Sequence, residues 1–436
     1  MTPLLRLLTT VLLTACVLYH PGAAQTDSGT AVAHGTSVMQ LNRTGRWDEA
    51  AELAQRLLAV VPTDSTVSRC ELYLNLAYAQ LRLGCASDAA TTMNTFDGAC
   101  ASLPPDHWVQ VAAGQVRTEL GRHAPVTATV TDDGFWQTAD PATVGVDADA
   151  LERHRALCEH SGADACVVVR RGRIVQEWYS PQFHTPAMAM SSTKSVTGLL
   201  VGKLLDEGKI PSLDTPVCVY LAQWCAGDKA HVTLTHLLTM TSGLPRMYAE
   251  GVGSVSDKDP FVVALPLATT PGTTWAYSNE GVQLLSPILD KAAGEPIQDY
   301  ARRGLFAPLG MRETRLHLDE RGHAWTYADM ETTPRDFARL GVLMLNRGAW
   351  QGRRVVGEAW VERSTQPSQQ FNRQYGLLWW LIDAPKGYAA RGYLDTNLYI
   401  FPAQELVVVR MQSRPVAGSI PYEPAALHLF AELVHP

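Results

Sequence analysis

The β-forming runs of this chain stand near its middle and near its end, and that separation constrains the fold more than any other feature. Cys166-Val167-Val168-Val169-Arg170 and Arg173 to Tyr179 are rich in β-branched and aromatic residues, and Arg171-Gly172 between them is a hairpin signal. The next comparable runs are Tyr375 to Ile382, Asn397 to Phe401 and Leu406 to Met411. Helical patterns and loops fill the interval up to about residue 365. Strands drawn from both ends with helices between them predict an α+β domain over 136–436. Its antiparallel sheet would be closed by the two termini and flanked by helices, with an inserted helical lobe and a cleft between sheet and lobe.

One helix in that interval carries chemistry at its start. Ser191-Ser192-Thr193-Lys194 precedes an apolar stripe of Val196, Leu199, Leu200, Leu204 and Leu205, and Gly208 supplies the stop. Residues i and i+3 of a helix share a face, so Ser191 Oγ and Lys194 Nζ can meet in one pocket. Ser191 would stand at the end that carries unpaired N–H groups and partial positive charge. A serine hydroxyl is a weak nucleophile until a neighbouring base takes its proton, and a buried lysine can be that base. No other lysine of the chain has a serine three residues before it. Taken alone, the same spacing also suits an ordinary solvated helix start.

The chain's 436 residues exceed one small domain, and two are expected. A 46% hydrophobic and 18% charged composition is that of a globular protein with a sizeable core. A net charge of −7 over this length argues against nucleic acid or an anionic membrane surface as partner. Residues 1–24 read as an export signal: Arg6, an apolar run from Leu7 to Leu18, then His20-Pro21-Gly22-Ala23-Ala24-Gln25 with small residues at the cleavage positions. Leu13-Thr14-Ala15-Cys16 offers a rival reading as a lipobox, with Cys16 lipidated. Either address is outside the cytoplasm, the periplasm or the medium, and no later apolar stretch is long enough for a transmembrane helix. That compartment permits disulfides among Cys70, Cys85, Cys100, Cys158, Cys166, Cys218 and Cys225. Cys158 with Cys166 and Cys218 with Cys225 are near enough to form local staples. Of the three earlier cysteines at least one stays unpaired within that group, and all seven could equally be small buried hydrophobes.

Residues 30–123 read as an all-α region. Leu41, Trp47, Ala50, Leu53, Ala54, Leu57, Leu58 and Val61 recur at helical spacing, broken at Asn42 to Arg46 and ended by Pro62. Leu76, Ala77, Tyr78 and Leu81 follow, then Gly84, Asp88 and Ala89, and a third helix from Trp108 to Leu120 closes at Gly121. The Gly45-to-Pro62 stretch resembles the tetratricopeptide repeat, with Gly45, Ala50 and Pro62 at its small-residue and terminal-proline positions. That resemblance implies a peptide or protein partner in a concave surface; a helical cap on the next domain is the alternative. A polar, Thr-rich linker, Arg122 to Gly134, separates the regions.

Within 136–436 the ordered segments resemble the serine β-lactamase-related family, which spans class C-like β-lactamases, D-alanyl-D-alanine carboxypeptidases, esterases and 6-aminohexanoate-dimer hydrolases. Ser191 to Ser195 matches the nucleophile motif, and Gly208 to Val217 the segment that follows it. Val232 to Leu244, Tyr277-Ser278-Asn279, Pro308-Leu309-Gly310-Met311 and Met330 to Gly352 match in the family's order. The resemblance implies that Tyr277 and Lys194 jointly deprotonate Ser191 and later protonate the leaving group. It also implies that Asn279 offers its amide to a substrate carbonyl, on the same side as Tyr277 if the segment is extended. The Ser191 N–H would be one oxyanion donor. Without Ser191 upstream, Tyr277-Ser278-Asn279 would read as a polar turn.

The family's third motif, Lys-Thr-Gly, His-x-Gly or Trp-x-Gly on a cleft strand, has its best match at Ala390-Arg391-Gly392, before Tyr393. Gly392 keeps the backbone open, and the Tyr393 N–H would be the second oxyanion donor. The first-position cation is absent, and Arg391 replaces it only if its side chain turns into the cleft, against the alternation of a strand. That departure favours esters and small or linear amides over penicillin-type substrates.

Competing chemistries lack their residues. There is no Gly-x-Ser-x-Gly elbow, no His-Glu-x-x-His and no phosphate loop. His236 sits in an apolar helical pattern and reads as structural, and His154, His160 and His184 have no partners at metal spacing. Trp275, Trp379 and Trp380 are candidates for an apolar cleft wall, with one of the adjacent pair facing the core. The expected protein is an exported serine hydrolase forming an acyl-enzyme on Ser191, with no cofactor or metal. Its alternatives are a β-lactamase or D-Ala-D-Ala peptidase acting on cell-wall substrates, and a catalytically silent scaffold working through its helical region.

Overall fold

The computed structural model describes residues 38–434 apart from 43–45, 63–64, 83–85, 106, 123–133, 182, 184, 248–250 and 417. The candidate signal with Cys16, together with Gly45, Gly84, Cys85, His184 and most of the linker, lies outside the described residues. The chain divides into two compact units, Met1–Thr127 and Ala128–Pro436. No helix among the described residues is long and apolar enough to cross a membrane.

The first unit is helical: α1 (Trp47–Val60), α2 (Thr66–Arg82), α3 (Ala86–Ala99) and α4 (Trp108–Arg122). Helix α2 is apolar on two sides. Leu72, Leu76 and Ala79 pack with Ala50, Ala54 and Leu57 of α1. Cys70, Leu74, Ala77 and Leu81 face Met93 and Phe96 of α3 and Val109 and Val116 of α4. Each set keeps three- and four-residue steps, so one helix serves two neighbours. Cys70 and Cys100 form a disulfide that ties α2 to the residue after α3.

The second unit is built on a six-stranded sheet. Helix α5 (Ala148–His160) precedes β1 (Ala165–Arg170) and β2 (Arg173–Tyr179), whose turn is Arg171-Gly172. A two-residue strand β3 (Ala187–Met188) leads to a 3₁₀ turn, Met190–Ser192, and helix α6 (Thr193–Asp206). The inserted lobe contains α7 (Leu234–Leu238), α8 (Lys258–Ala264), α9 (Asn279–Gln283), α10 (Leu285–Ala293) and α11 (Ile297–Ala301). The chain returns through β4 (Glu331–Thr332), α12 (Pro334–Leu345), the short pair β5 (Ala349–Trp350) and β6 (Arg353–Arg354), and α13 (Glu358–Ser364). It then completes the sheet with β7 (Trp380–Ile382), β8 (Gly387–Ala390), β9 (Asn397–Phe401) and β10 (Leu406–Met411), and ends in α14 (Glu423–Glu432).

The sheet order is β2-β1-β10-β9-β8-β7, antiparallel throughout, so the last long strand lies beside the first. Both faces are covered. Val167, Val169, Leu398, Ile400, Val407 and Val409 join the core with α6 and α12. Cys166, Val168, Tyr399, Phe401, Leu406 and Val408 join a second core with α5 and α14. Burial on both faces is why these strands read as continuous apolar runs. The pairs Cys158–Cys166 and Cys218–Cys225 are disulfides, as their short spacings allow.

Two details depart from the sequence expectation. The run from Tyr375 to Ile382 is a strand only over Trp380–Ile382, because the chain folds back on itself there and Tyr375 pairs with Trp380 as an isolated bridge. Strand β8 is short and small-residued, GYAA, and carries little β signal of its own; pairing with β7 and β9 forms it.

His154 is fully buried. Its Nδ1 lies 2.8 Å from Gln176 Oε1 and its Nε2 2.8 Å from Tyr422 Oη. Burial pulls its pKa down to about 4, with the Gln176 bond opposing. In the unfolded chain it would take a proton near pH 6.5. Folding stability from this group is therefore complete above pH 6.5 and lost as pH falls towards 4, by up to about 3 kcal/mol. Urea unfolding at pH 7.5 and pH 4.5 should show that loss, and His154→Gln should flatten the dependence over this window.

Candidate active site

Ser191 sits in the 3₁₀ turn immediately before α6, half-buried, while Lys194 behind it is 2% exposed. Lys194 Nζ is 3.0 Å from Ser191 Oγ and donates to the Tyr327 carbonyl at 2.7 Å. It also lies 4.8 Å from the centre of the Tyr277 ring. The three-residue spacing thus brings hydroxyl and amine into contact, and a lobe segment more than 80 residues later in sequence adds the phenol ring.

The turn is held from two sides. Met190 has φ of 50°, a left-handed conformation that a non-glycine residue adopts at a cost. The backbone around it is fixed by the segment after Tyr327: Asp329 N donates to Met190 O, Ala189 N to Met330 O, and Met330 N to Thr193 Oγ1. Thr193 Oγ1 in turn donates to Met190 O. On the sheet side, Ser192 Oγ donates to Thr396 O at 2.6 Å. No hydrogen bond among the described residues uses the Ser191 N–H, which leaves it available as a donor at the helix start.

Tyr277 belongs to an aromatic cluster. Its ring stacks on Trp380, with centroids 5.8 Å apart and planes 26° apart, while Trp275 and Tyr375 meet Trp380 edge-on. Trp379 points the other way into the core, 1% exposed and edge-on to Tyr388. Ser278 is extended (φ −122°, ψ 117°) and caps α9, whose first residue is Asn279. Asn279 Oδ1 is buried with no hydrogen-bond partner among the described residues. Glu280 anchors this corner, accepting from Val252 N and Ser278 Oγ at 3.3 Å each.

At the third motif, Ala390 ends β8 and faces the core, so the cation position carries a buried methyl group. Arg391 is not a free cation: it is ion-paired with Glu423 at the start of α14 and lies 5.5 Å over the Trp380 ring. Burial pushes the Glu423 carboxyl up, and the Arg391 charge works against that. Gly392 N donates to Asn397 Oδ1 at 3.0 Å, whereas the Tyr393 N–H has no acceptor among the described residues. A Cβ on Gly392 would fall 2.8 Å from Ala189 O, so this loop lies directly against the turn that carries Ser191. Arg410, fully buried, donates to Leu394 O at 2.6 Å and Asp395 O at 3.2 Å and braces the loop from behind.

Sequence reasoning missed the Tyr327 carbonyl and Asp329. The carbonyl is backbone and carries no side-chain signal, and Asp329 sits in an unremarkable polar stretch. His236 closes a capping box with Thr233 at the start of α7, a structural role. Among the described residues two side-chain groups have metal-like geometry, His154 with Cys158 and Cys166, and Asp257 with Asp319 and His323. In the first the cysteines are joined to each other. In the second the Asp319 oxygens already accept from the backbone N–H groups of Lys258, Arg321 and His323.

Comparison with known proteins gives the family. The family model described as Beta-lactamase matches residues 148–431. A 6-aminohexanoate-dimer hydrolase of Paenarthrobacter ureafaciens is 25% identical over 360 residues, covering 73% of this chain and 91% of the relative. Esterase EstB of Burkholderia gladioli is 31% identical over 144 residues, 28% of this chain and 36% of that protein. The D-alanyl-D-alanine-carboxypeptidase/endopeptidase AmpH of Escherichia coli is 31% identical over 166 residues, 33% and 42% of the two chains. Among solved structures, a putative 6-aminohexanoate-dimer hydrolase from Bacillus anthracis superposes with a TM-score of 0.56 at 20% identity, covering 68% of this chain and 85% of that one. The match over most of the second unit places the chain in the beta-lactamase family of serine hydrolases.

Proposed function

We propose that the protein is an exported serine hydrolase that forms an acyl-enzyme on Ser191 and acts on an ester or a small or linear amide. The observation that carries the reading is the Lys194 Nζ to Ser191 Oγ contact of 3.0 Å beside the Tyr277 ring. Ser191 Oγ gives its proton to the Lys194–Tyr277 pair as it bonds to the substrate carbonyl carbon. The carbonyl oxygen, now an oxyanion, is held by the N–H groups of Ser191 and Tyr393. The C–N or C–O bond then breaks, and the leaving group takes the proton from the pair. Water repeats the sequence on the acyl-enzyme and frees Ser191. The unpartnered Asn279 Oδ1 is the group proposed to meet a polar atom of the substrate.

The substrate preference is supported by the third motif, where Ala390 and the Arg391–Glu423 pair leave no free cation for a penicillin-type carboxylate. Relatives bearing esterase and amide-hydrolase names fit the same preference. Three disulfides suit an oxidising compartment and support export. For the helical unit, we propose a peptide or protein partner, supported by solvent-exposed Val60, Val67 and Val111 on its helices.

A fluorophosphonate probe should label the wild-type protein stoichiometrically and leave Ser191→Ala unlabelled. With p-nitrophenyl esters, nitrocefin and a D-Ala-D-Ala peptide as substrates, the esters should be turned over fastest. Absence of labelling would sink the hydrolase reading. Faster turnover of nitrocefin or of the peptide would replace the proposed substrate class with the cell-wall one.

A further inference from the structure

We propose that Asp329 forms a cation subsite beside Ser191, so that the ester or amide hydrolysed there carries an ammonium group. This rests on the serine hydrolase reading and names its substrate class. Asp329 has φ of 61°, a left-handed backbone uncommon outside glycine. Its backbone is part of the wall of the nucleophile turn: its N–H is bonded to Met190 O, and its neighbour Met330 to Thr193 and Ala189. Two residues earlier, the Tyr327 carbonyl holds Lys194.

Among the described residues no hydrogen bond or ion pair reaches the carboxylate, although Asp329 is half-buried. Among the described residues, the cations that act on it are engaged elsewhere. Lys194 is bonded to Ser191 Oγ and Tyr327 O. Lys258 donates to Val252 O and Val255 O at 2.8 Å each and lies 4.1 Å over the Trp325 ring. His317 is 3.6 Å from Glu331. Burial pushes the Asp329 carboxyl up, and nearby positive charges, His317 and then Lys194 foremost, pull it back down through space. A carboxylate taken from water without a bonded partner is costly, and a substrate cation would recover that cost through charge-assisted hydrogen bonds.

The competing role for Asp329 is as a counter-charge acting on Lys194, and substrates of matched length separate the two. The p-nitroanilides of 4-aminobutyrate, butyrate and succinate share a four-carbon acyl chain that ends in an ammonium, a methyl and a carboxylate group respectively. The aminobutyryl compound should exceed the butyryl one in kcat/KM by about 10- to 100-fold, the range for a hydrogen bond to a charged group. The succinyl compound should be the poorest. Asp329→Asn, which keeps a residue tolerant of the left-handed backbone, should bring the aminobutyryl-to-butyryl ratio close to one. A wild-type ratio near one, or a ratio unchanged in Asp329→Asn while all rates fall together, would overturn the subsite.

Binding gives a second reading that needs no turnover. Calorimetric titration of Ser191→Ala protein with n-butylammonium should show binding at least 10-fold tighter than with n-butanol, and Asp329→Asn added to Ser191→Ala should abolish the difference. Equal binding of the two probes overturns the proposal. Failure of the hydrolase reading shows separately, as absent fluorophosphonate labelling.

Discussion

Lys194→Met should lower kcat by about 100- to 10,000-fold, the range for losing a positioned general base, while KM changes little. Met matches the lysine stem in length and fills the same buried channel, so the fold should persist. What disappears is the only side-chain nitrogen bonded to Ser191 Oγ among the described residues. The Tyr327 carbonyl also loses its donor, so a modest drop in melting temperature should accompany the kinetic loss. Because nucleophile and base act as one unit, Ser191→Ala combined with Lys194→Met should be no slower than Ser191→Ala alone. Steady-state kinetics on a p-nitrophenyl ester and the rate of fluorophosphonate labelling check both statements. A Lys194→Met protein with wild-type kcat would show that some other group activates Ser191.

Gly392→Ala should cost about 100-fold in kcat/KM through position alone, since displacements near 1 Å at a reacting centre have effects of that size. The added Cβ would meet Thr396 O at 2.7 Å, Ala189 O at 2.8 Å and Met190 Cβ at 3.0 Å. Two of these are backbone atoms and none lies at the end of a flexible side chain, so relief requires the loop and the nucleophile turn to separate. That movement takes the Tyr393 N–H away from Ser191. Gly98→Ala in α3 is the control, with nothing within 4 Å of its Cβ. It should leave kcat/KM unchanged and add a few tenths to 1 kcal/mol of stability, as Ala does over Gly inside a helix. Retention of wild-type kcat/KM by Gly392→Ala would mean that the 392–393 segment does not serve the reacting carbonyl.

Much of the candidate site is legible in the sequence. Ser191 and Lys194 are three apart on a helix, and that spacing alone is enough to make them meet, because helical geometry is local. The β1–β2 hairpin, β9 and β10 were legible for the same kind of reason: their residues are apolar in runs, and the turn between the first pair carries its own glycine. The disulfides Cys158–Cys166 and Cys218–Cys225 follow from short separations.

Other parts depended on partners distant in sequence. The GYAA segment became a strand only when β7 and β9 supplied hydrogen bonds on both sides. The run beginning at Tyr375 was mostly not a strand, because the chain doubles back onto Trp380. Arg391 has the charge that a third-motif cation needs, but the helix carrying Glu423 claims it, and a sequence contains no record of that pairing.

By itself, then, the sequence determined which residues could react and on which local elements they stand, since i to i+3 contacts, strand runs and hairpin turns are short-range consequences of backbone geometry. The tertiary structure alone decided what surrounds them: the Tyr327 carbonyl on Lys194, the left-handed Asp329 against Met190, Gly392 pressed to Ala189, and Arg391 turned to Glu423. Those are contacts between segments brought together by burial of a common core. Burial depends on the shape of the whole sheet and lobe, which no local spacing encodes.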